Sequence, residues 1–359
     1  MTNFQHKLLE WYQVYKRQLP WRETSDPYRV WLSEVILQQT RVNQGLTYYQ
    51  NFIDKWPDIT SLAKAQEDEV MKMWQGLGYY SRARNLLKAS REIVNDFGGR
   101  FPQSVEQLKK ISGIGDYTAA AIASIAFQVP VPVIDGNVYR VLSRIYGINQ
   151  SIASRQGKML FREIATELVP SIDAGNYNQA LMEFGALHCT PRNPDCISCP
   201  FNSQCYALSN NQVSQFPVKD KKKAVIERFF NYLIILNRQD DDTYVYVRKR
   251  RQNDIWKSLY EFVNFETETS TDFDSLTQLD LWQKLFTGNP CTLVNESHVY
   301  KHLLTHQRIF AKFYVVKPAK KIESPHNFDL SLISQKKLDT LAFPRLIDRY
   351  LEDNNGVPV

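Results

Sequence analysis

The amino-acid sequence predicts a multidomain protein of mixed class: an all-helical domain, then a smaller α+β domain. Three observations carry that expectation. Apolar residues recur at three- and four-residue spacing through residues 1–210, residues 206–225 turn polar, and β-patterned runs follow. A chain of 359 residues, 43% of them hydrophobic, can bury one large core, and two domains are the expected division.

Taken in order, "MTNFQHKLLEWYQVYKRQLP" is an amphipathic helical pattern without the basic, apolar and small-residue regions of a signal peptide. No apolar run reaches the roughly 18–20 residues that span a bilayer, so no membrane partner and an intracellular, cytoplasmic location are expected. Helical spacing continues in "YRVWLSEVILQQTRV", "LAKAQEDEVMKMWQGLG", "DYTAAAIASIAF" and "GNVYRVLSRIYG". Within 108–123, "LKKISGIGDYTAAAIA" reads as a short helix, a hairpin with Gly113 and Gly115, and a second helix. Glycines there leave N–H groups bare at a helix N-terminus, which suits a phosphate oxygen and equally suits an ordinary connection. "GLGYYSRAR" at 76–84 sets Tyr79 and Tyr80 beside Arg82 and Arg84, aromatics next to basic groups as nucleic-acid surfaces use them. "YALSNNQVSQFPVKDKKKA" has a linker's composition. Beyond it, "RFFNYLIILN" and "TYVYVRKRR" flank "RQDDD" as a β-hairpin, "IFAKFYVVKP" reads as a further strand, and "FPRLIDRYLED" reads as a closing helix.

The formal charge of +6 is unevenly placed. Residues 1–224 hold 26 Lys and Arg against 20 Asp and Glu, whereas 225–359 hold 18 of each. A basic first part suggests contact with a polyanion. Four of the five cysteines fall within seventeen positions, as Cys189-x6-Cys196-x2-Cys199-x5-Cys205. In a reducing compartment such clustering points to a metal centre, and the spacing leaves zinc and iron–sulfur both open. Cys291 stands alone and reads as a small apolar residue.

Two carboxylates stand out. On a helix, Glu34 has Val30, Trp31, Leu37 and Gln38 at three and four positions, three of them apolar. A carboxylate desolvated on such a face has a raised pKa and can carry a proton at neutral pH, as a general acid must; a buried glutamate bonded to a neighbouring helix is the simpler alternative. Asp135 ends the extended "VPVPVID" and opens "GNVYRVLSR", where an Asp caps a helix and can still face a cleft.

Together these stretches resemble the helix–hairpin–helix DNA glycosylases of the branch that carries a [4Fe–4S] cluster, and within it the MutY family of adenine DNA glycosylases. The resemblance rests on "ISGIGDYTAAAI" followed by "VIDGNVYRVLSR", on "WLSEVILQQTRV", and on the cysteine spacing, and it covers nearly the whole chain. It implies a helical glycosylase domain at 1–210, with a six-helix core at about 22–134, the helix–hairpin–helix at 105–127, and a cluster-side subdomain of residues 1–21 and 135–210 carrying the cluster loop 189–205. A linker at 211–226 and a Nudix-like 8-oxoguanine recognition domain at 227–356 follow.

The same resemblance assigns roles. The partner would be duplex DNA holding adenine opposite 8-oxoguanine or guanine, bound by a monomer. Glu34 would protonate the leaving adenine and Asp135 would stabilise the oxocarbenium-like sugar, supported by Tyr117 and Asn137. Tyr117 stands where bifunctional relatives have a Schiff-base lysine, which implies a monofunctional enzyme. Trp21, Arg22 and Gln179 would line the adenine pocket. Gln39 and Tyr79 would act as wedges, with Arg82, Gly113 and Gly115 also at the DNA. Cys189, Cys196, Cys199 and Cys205 would hold the cluster. Leu304, Thr305 and His306 would read 8-oxoguanine where the family commonly has Phe-Ser-His, so an aromatic is lost at Leu304. "WKSLYEF" lacks a glycine relatives often have, and Ser112 replaces a usual proline. A Glu-rich Nudix box is missing from the sequence, so no pyrophosphohydrolase activity is expected. The competing readings are a thymine or uracil mismatch glycosylase on the same scaffold, a non-catalytic lesion-binding protein, and a nucleotide-pool hydrolase.

Overall fold

A computed structural model describes residues 1–220, 225–239, 242–322 and 328–358. Its helices up to the linker are α1 (Asn3–Tyr15), α2 (Pro27–Leu37), α3 (Val42–Lys55), α4 (Ile59–Ala63), α5 (Glu67–Trp74), α6 (Ser81–Phe97), α7 (Val105–Leu108), α8 (Asp116–Phe127), α9 (Gly136–Tyr146), α10 (Arg155–Leu168), α11 (Ala174–Leu187) and α12 (Tyr206–Ser209). After it come strands β1 (Ile226–Gln239), β2 (Asp242–Lys249), β3 (Tyr260–Glu261) and β4 (Val263–Thr267), then helices α13 (Phe273–Thr277) and α14 (Asp280–Leu285). Strands β5 (Cys291–Glu296), β6 (Tyr300–Leu303), β7 (Gln307–Pro318) and β8 (Ser331–Ser334) and helix α15 (Arg345–Asp353) complete the order. Among the described residues no helix is long and apolar enough to cross a membrane.

The chain forms two compact units: Met1–Ala65 with Asn85–Lys221, and Gln66–Arg84 with Lys222–Val359. The boundary at 221 falls in the polar stretch that reads as a linker, but segment 66–84 groups with the second unit although it lies early in the sequence. Part of the basic run at 219–223 lies outside the described residues.

In the first unit, α2 starts with Pro27 at its first position and Asp26 as N-cap, accepting a bond from the Tyr28 N–H at 3.0 Å. Its residues are buried from Val30 to Ile36, so Glu34 is enclosed with them. The pattern "YRVWLSEVILQQTRV" therefore ends as a helix at Leu37, and α3 begins at Val42. Helix α8 matches its sequence stretch and packs against α2 through Ala120, Ala121 and Ile125, which surround Val30. The amphipathic α9 contributes Val138, Val141, Leu142 and Ile145 to a second core with α1, α10 and α11. The stretch "LAKAQEDEVMKMWQGLG" is not one helix. It breaks between α4 and α5, where Gln66 and Glu69 form a reciprocal capping box.

The second unit is built on a mixed sheet of order β3-β2-β1-β7-β5, with β4 on β1, β6 on β7 and β8 on β2. The expected hairpin forms: β1 pairs antiparallel with β2 from Leu236↔Val245 to Gln239↔Asp242, its tip at 240 and 241 lying outside the described residues. Strands β1 and β7 run parallel. Alternate residues Leu233, Ile235, Tyr314 and Val316 bury one face with Trp282 and Phe286.

Candidate active site

Glu34, Asp135, Tyr117 and Asn137 converge in the first unit on one cavity of about 920 Å³, which Trp21, Arg22, Gln39, Gly113, Gly115 and Gln179 also line. Glu34 is 8% exposed. Burial pushes its carboxyl up to about 7, and the Asp135 charge adds to the rise, while the hydrogen bond from the Tyr117 hydroxyl to Oε2 at 2.6 Å opposes it. The phenol of Tyr117 is itself raised well above its usual value by burial and by the Glu34 and Asp135 charges, so it stays a neutral donor.

Asp135 is the N-cap of α9. Its Oδ1 accepts the backbone N–H groups of Asn137 and Val138, both at 2.8 Å, and Oδ2 accepts from the Asn137 amide at 2.7 Å. Burial raises its pKa, opposed by those bonds and by Arg140. Arg140 is a residue the sequence reading did not single out. It donates to Asn137 Oδ1 at 2.8 Å and to the carbonyl oxygens of Gly185 and Cys189 at 2.6 and 2.8 Å, fixing the Asn137 amide. Glu183 is the second omission. Fully buried, it receives two-pronged bonds from Arg17 (2.8 and 2.5 Å) and from Arg22 (2.7 and 2.7 Å). Burial works against its ionisation, yet the two guanidinium groups outweigh it and hold the carboxylate down at about 2. Arg22 thus reaches the cavity as half of an ion pair. Trp21 lies edge-on to Tyr49 at 5.1 Å and walls the same space.

The two hairpin glycines differ. Gly113 has φ +76°, and a Cβ there would lie 2.6 Å from Asn85 Cβ, so both backbone and packing demand glycine. A Cβ on Gly115, the N-cap of α8, would meet open space. Gln39 is exposed in the left-handed region at φ +56°, and Tyr79 is 45% exposed at φ +48°. Such backbone costs a non-glycine residue about 1 kcal/mol, and strain of this kind gathers at functional positions.

Tyr79 belongs to the second unit and is not in the Glu34 cavity. Its hydroxyl lies 2.6 Å from Thr305 Oγ1, and both residues line a smaller cavity of about 400 Å³. Leu304, Thr305 and His306 form the tip between the paired strands β6 and β7, closed by the bond from Leu304 N to Gln307 O at 2.8 Å. Thr305 and His306 are exposed there, and Leu304 is half-buried against the cavity. The exposed apolar side chain at this tip is Leu303, 66% accessible and overlooked in the sequence reading.

Arg82 is placed inside its own turn. It is buried, lies 5.0 Å over the Trp74 ring, and donates to the carbonyl oxygens of Leu77 and Gly78 at 3.2 and 3.1 Å. Burial lowers its pKa to about 10. Its guanidinium braces the 77–79 turn from inside.

Cys189, Cys196, Cys199 and Cys205, none of them paired in a disulfide, line one cavity in the first unit with Phe184, His188 and Phe201. Arg144, on α9, donates to Cys189 Sγ at 3.4 Å and to Thr190 O at 2.7 Å, while its own carbonyl accepts from Cys205 Sγ at 3.4 Å. Among the described residues no group of three or more His, Cys, Asp or Glu is formed that would hold a metal ion. The fit of a larger sulfur-ligated centre therefore rests on the donor set, four thiols sharing one cavity.

Comparison with known proteins places the chain in a family. Residues 32–171 match the HhH-GPD superfamily of base excision DNA repair proteins, and residues 231–353 match the NUDIX domain. The helical fold is thus that of a DNA glycosylase of the helix–hairpin–helix superfamily. The chain is 36% identical over 269 residues to the adenine DNA glycosylase of Buchnera aphidicola subsp. Schizaphis graminum, covering 75% of this chain and 76% of that one. It is 34% identical over 309 residues to the adenine DNA glycosylase of Buchnera aphidicola subsp. Baizongia pistaciae, covering 86% and 84%. With these it belongs to the adenine DNA glycosylase family. Among solved structures, a thermostable thymine-DNA glycosylase is similar at a TM-score of 0.54 and 29% identity, over 58% of this chain and 95% of that one.

Proposed function

We propose that this enzyme hydrolyses the N-glycosidic bond of adenine opposite 8-oxoguanine, and secondarily opposite guanine, in duplex DNA. The observation that carries the reading is a glutamate that holds its proton near pH 7 in the same cavity as a helix-capping aspartate. Adenine leaves poorly unless protonated at N7. Glu34, with one oxygen bonded to Tyr117, delivers that proton as the bond breaks. Positive charge then develops on the sugar, and Asp135, fixed by three bonds, lies ready to stabilise it. Water then adds to the cationic sugar carbon, and the proton it releases restores the acid form of Glu34. Tyr117 offers no amine, so the reaction stops at base release without strand cleavage.

The base must leave the stack to enter the cavity. The strained, exposed Gln39 and Tyr79 suit a role in holding the duplex open, and bare N–H groups at the start of α8 suit a phosphate. Thr305 and His306, on an exposed tip, supply a hydroxyl and an imidazole for the opposite base. Cys189, Cys196, Cys199 and Cys205 would hold a [4Fe–4S] cluster, which when bound cross-links their loop. Purified protein should then be brown with about four irons per chain; colourless protein with zinc would overturn that part.

The similarity to a thymine-DNA glycosylase favours a second reading, a mismatch thymine glycosylase, although that likeness covers 58% of the chain. Single-turnover base release from duplexes holding 8-oxoguanine·adenine, thymine·adenine and guanine·thymine pairs separates the two. Adenine release from the first duplex alone is expected, and thymine release from the third would replace the adenine reading.

A further inference from the structure

Arg228 lies in β1, has no role assigned above, and is 15% exposed at its side chain. All five of its N–H donors are directed at acceptors. Nε and Nη2 grip Glu266 on β4 at 2.6 and 2.7 Å, and Nη1 and Nη2 grip Asp254 at 2.9 and 2.8 Å. The second Nη1 donor points to the Gln307 amide oxygen at 3.2 Å. The guanidinium also lies 4.9 Å over the Phe230 ring.

A staple between neighbouring strands needs only Glu266. Asp254 and Gln307 belong elsewhere. Asp254 begins the turn that carries Trp256, whose backbone is left-handed at φ +60° and whose ring lies edge-on to His302 of β6 at 5.6 Å. Gln307 follows the Leu304–His306 tip directly, and the backbone of β1 holds that tip again through Ile226 N to His306 O at 3.0 Å. A third segment closes the figure within this unit. Arg84 donates to Lys257 O at 2.6 Å, and Tyr79 meets Thr305 at 2.6 Å. Three segments, 77–84, 254–258 and 303–307, are therefore tied pairwise around one cavity.

We propose that Arg228 is a positioning residue for discrimination of the base opposite adenine: by clamping Asp254 and Gln307 together it fixes where Thr305 and His306 stand. This rests on the recognition role proposed for the tip. A planar fork with every donor engaged sets distance and orientation at once, which the single ammonium of lysine cannot do. Displacement of a recognising group by about 1 Å is enough to cost a large factor in rate.

The experiment is single-turnover adenine release from 8-oxoguanine·adenine and guanine·adenine duplexes by the full-length enzyme, its Arg228→Met and Arg228→Lys variants, and Gln307→Met. Arg228→Met should lower the ratio of the two rates about tenfold while the guanine·adenine rate stays within about twofold, with Arg228→Lys in between. Gln307→Met leaves both carboxylate pairs intact and should lower the ratio about threefold, so it decides the matter if Arg228→Met does not fold. Folded variants with an unchanged ratio and only a lower melting temperature would make Arg228 a sheet staple and overturn the inference alone. A wild-type ratio near one would instead overturn the recognition reading beneath it.

Discussion

The Glu34 cavity and the Thr305–His306 tip treat polar groups in opposite ways. In the cavity the two carboxylates proposed to act are enclosed, and enclosure is what changes them: desolvation moves Glu34 from an ordinary acid to one that titrates near neutrality. At the tip, Thr305 and His306 are exposed, while the buried charges, Arg228 with Asp254 and Glu266, stand behind them. Proton transfer needs a group whose affinity for protons has been altered, which burial supplies. On the proposed reading the tip recognises a base, which needs donors and acceptors held at fixed positions, and the buried charges behind it would supply that support.

Three measurements can break or sharpen that contrast. The largest effect belongs to the cavity. Glu34→Gln should cut adenine release by about a thousandfold or more while leaving lesion binding in place, and in the wild type the rate should fall as pH rises through about 7, because the acid is lost. Normal turnover by the variant would remove Glu34 from the acid role. A smaller effect is expected at the tip, where the Thr305→Ala/His306→Ala double variant should lower the preference for 8-oxoguanine over guanine by about tenfold. An unchanged preference there would shift recognition elsewhere. The smallest effect concerns stability. Glu34 binds its proton more tightly folded than unfolded, so its contribution is intact below the unfolded value of 4.5 and is lost as pH rises towards about 7. At pH 8 Glu34→Gln should therefore stabilise the fold, by on the order of 2 kcal/mol, measured by denaturant unfolding. Equal stability at pH 8 would mean that the carboxylate is better solvated than its burial implies.

What could be read without coordinates follows a physical line. Glu34 was legible because α2 imposes its own neighbours at three and four residues, and Asp135 because an extended run ending in Asp before a helical pattern is a cap. Helices α8 and α9 and the β1–β2 hairpin carried strong periodicity and formed as expected. Glu183 and Arg140 stayed hidden because their partners are tertiary: Arg17 and Arg22 approach Glu183 from 166 and 161 residues away. The burial of Arg82 was not legible, because an arginine beside aromatics reads the same in sequence whether it faces solvent or its own turn. The short strands β3, β6 and β8, of two to four residues, hold too little alternation to register.

Segment Gln66–Arg84 has a topological consequence. Because it is part of the second unit while the residues on both sides of it are part of the first, the chain changes unit three times, at 65/66, 84/85 and 221/222. Cleavage in the linker severs only the last of these crossings. The amino-terminal fragment would still own a piece of the other unit, anchored there by Asp68 to Lys249 and Tyr260, by Lys72 to Leu341 O, and by Gln75 to Asp348. The fragments of a chain nicked there are accordingly expected to remain associated through these bonds, which gel filtration after cleavage would show.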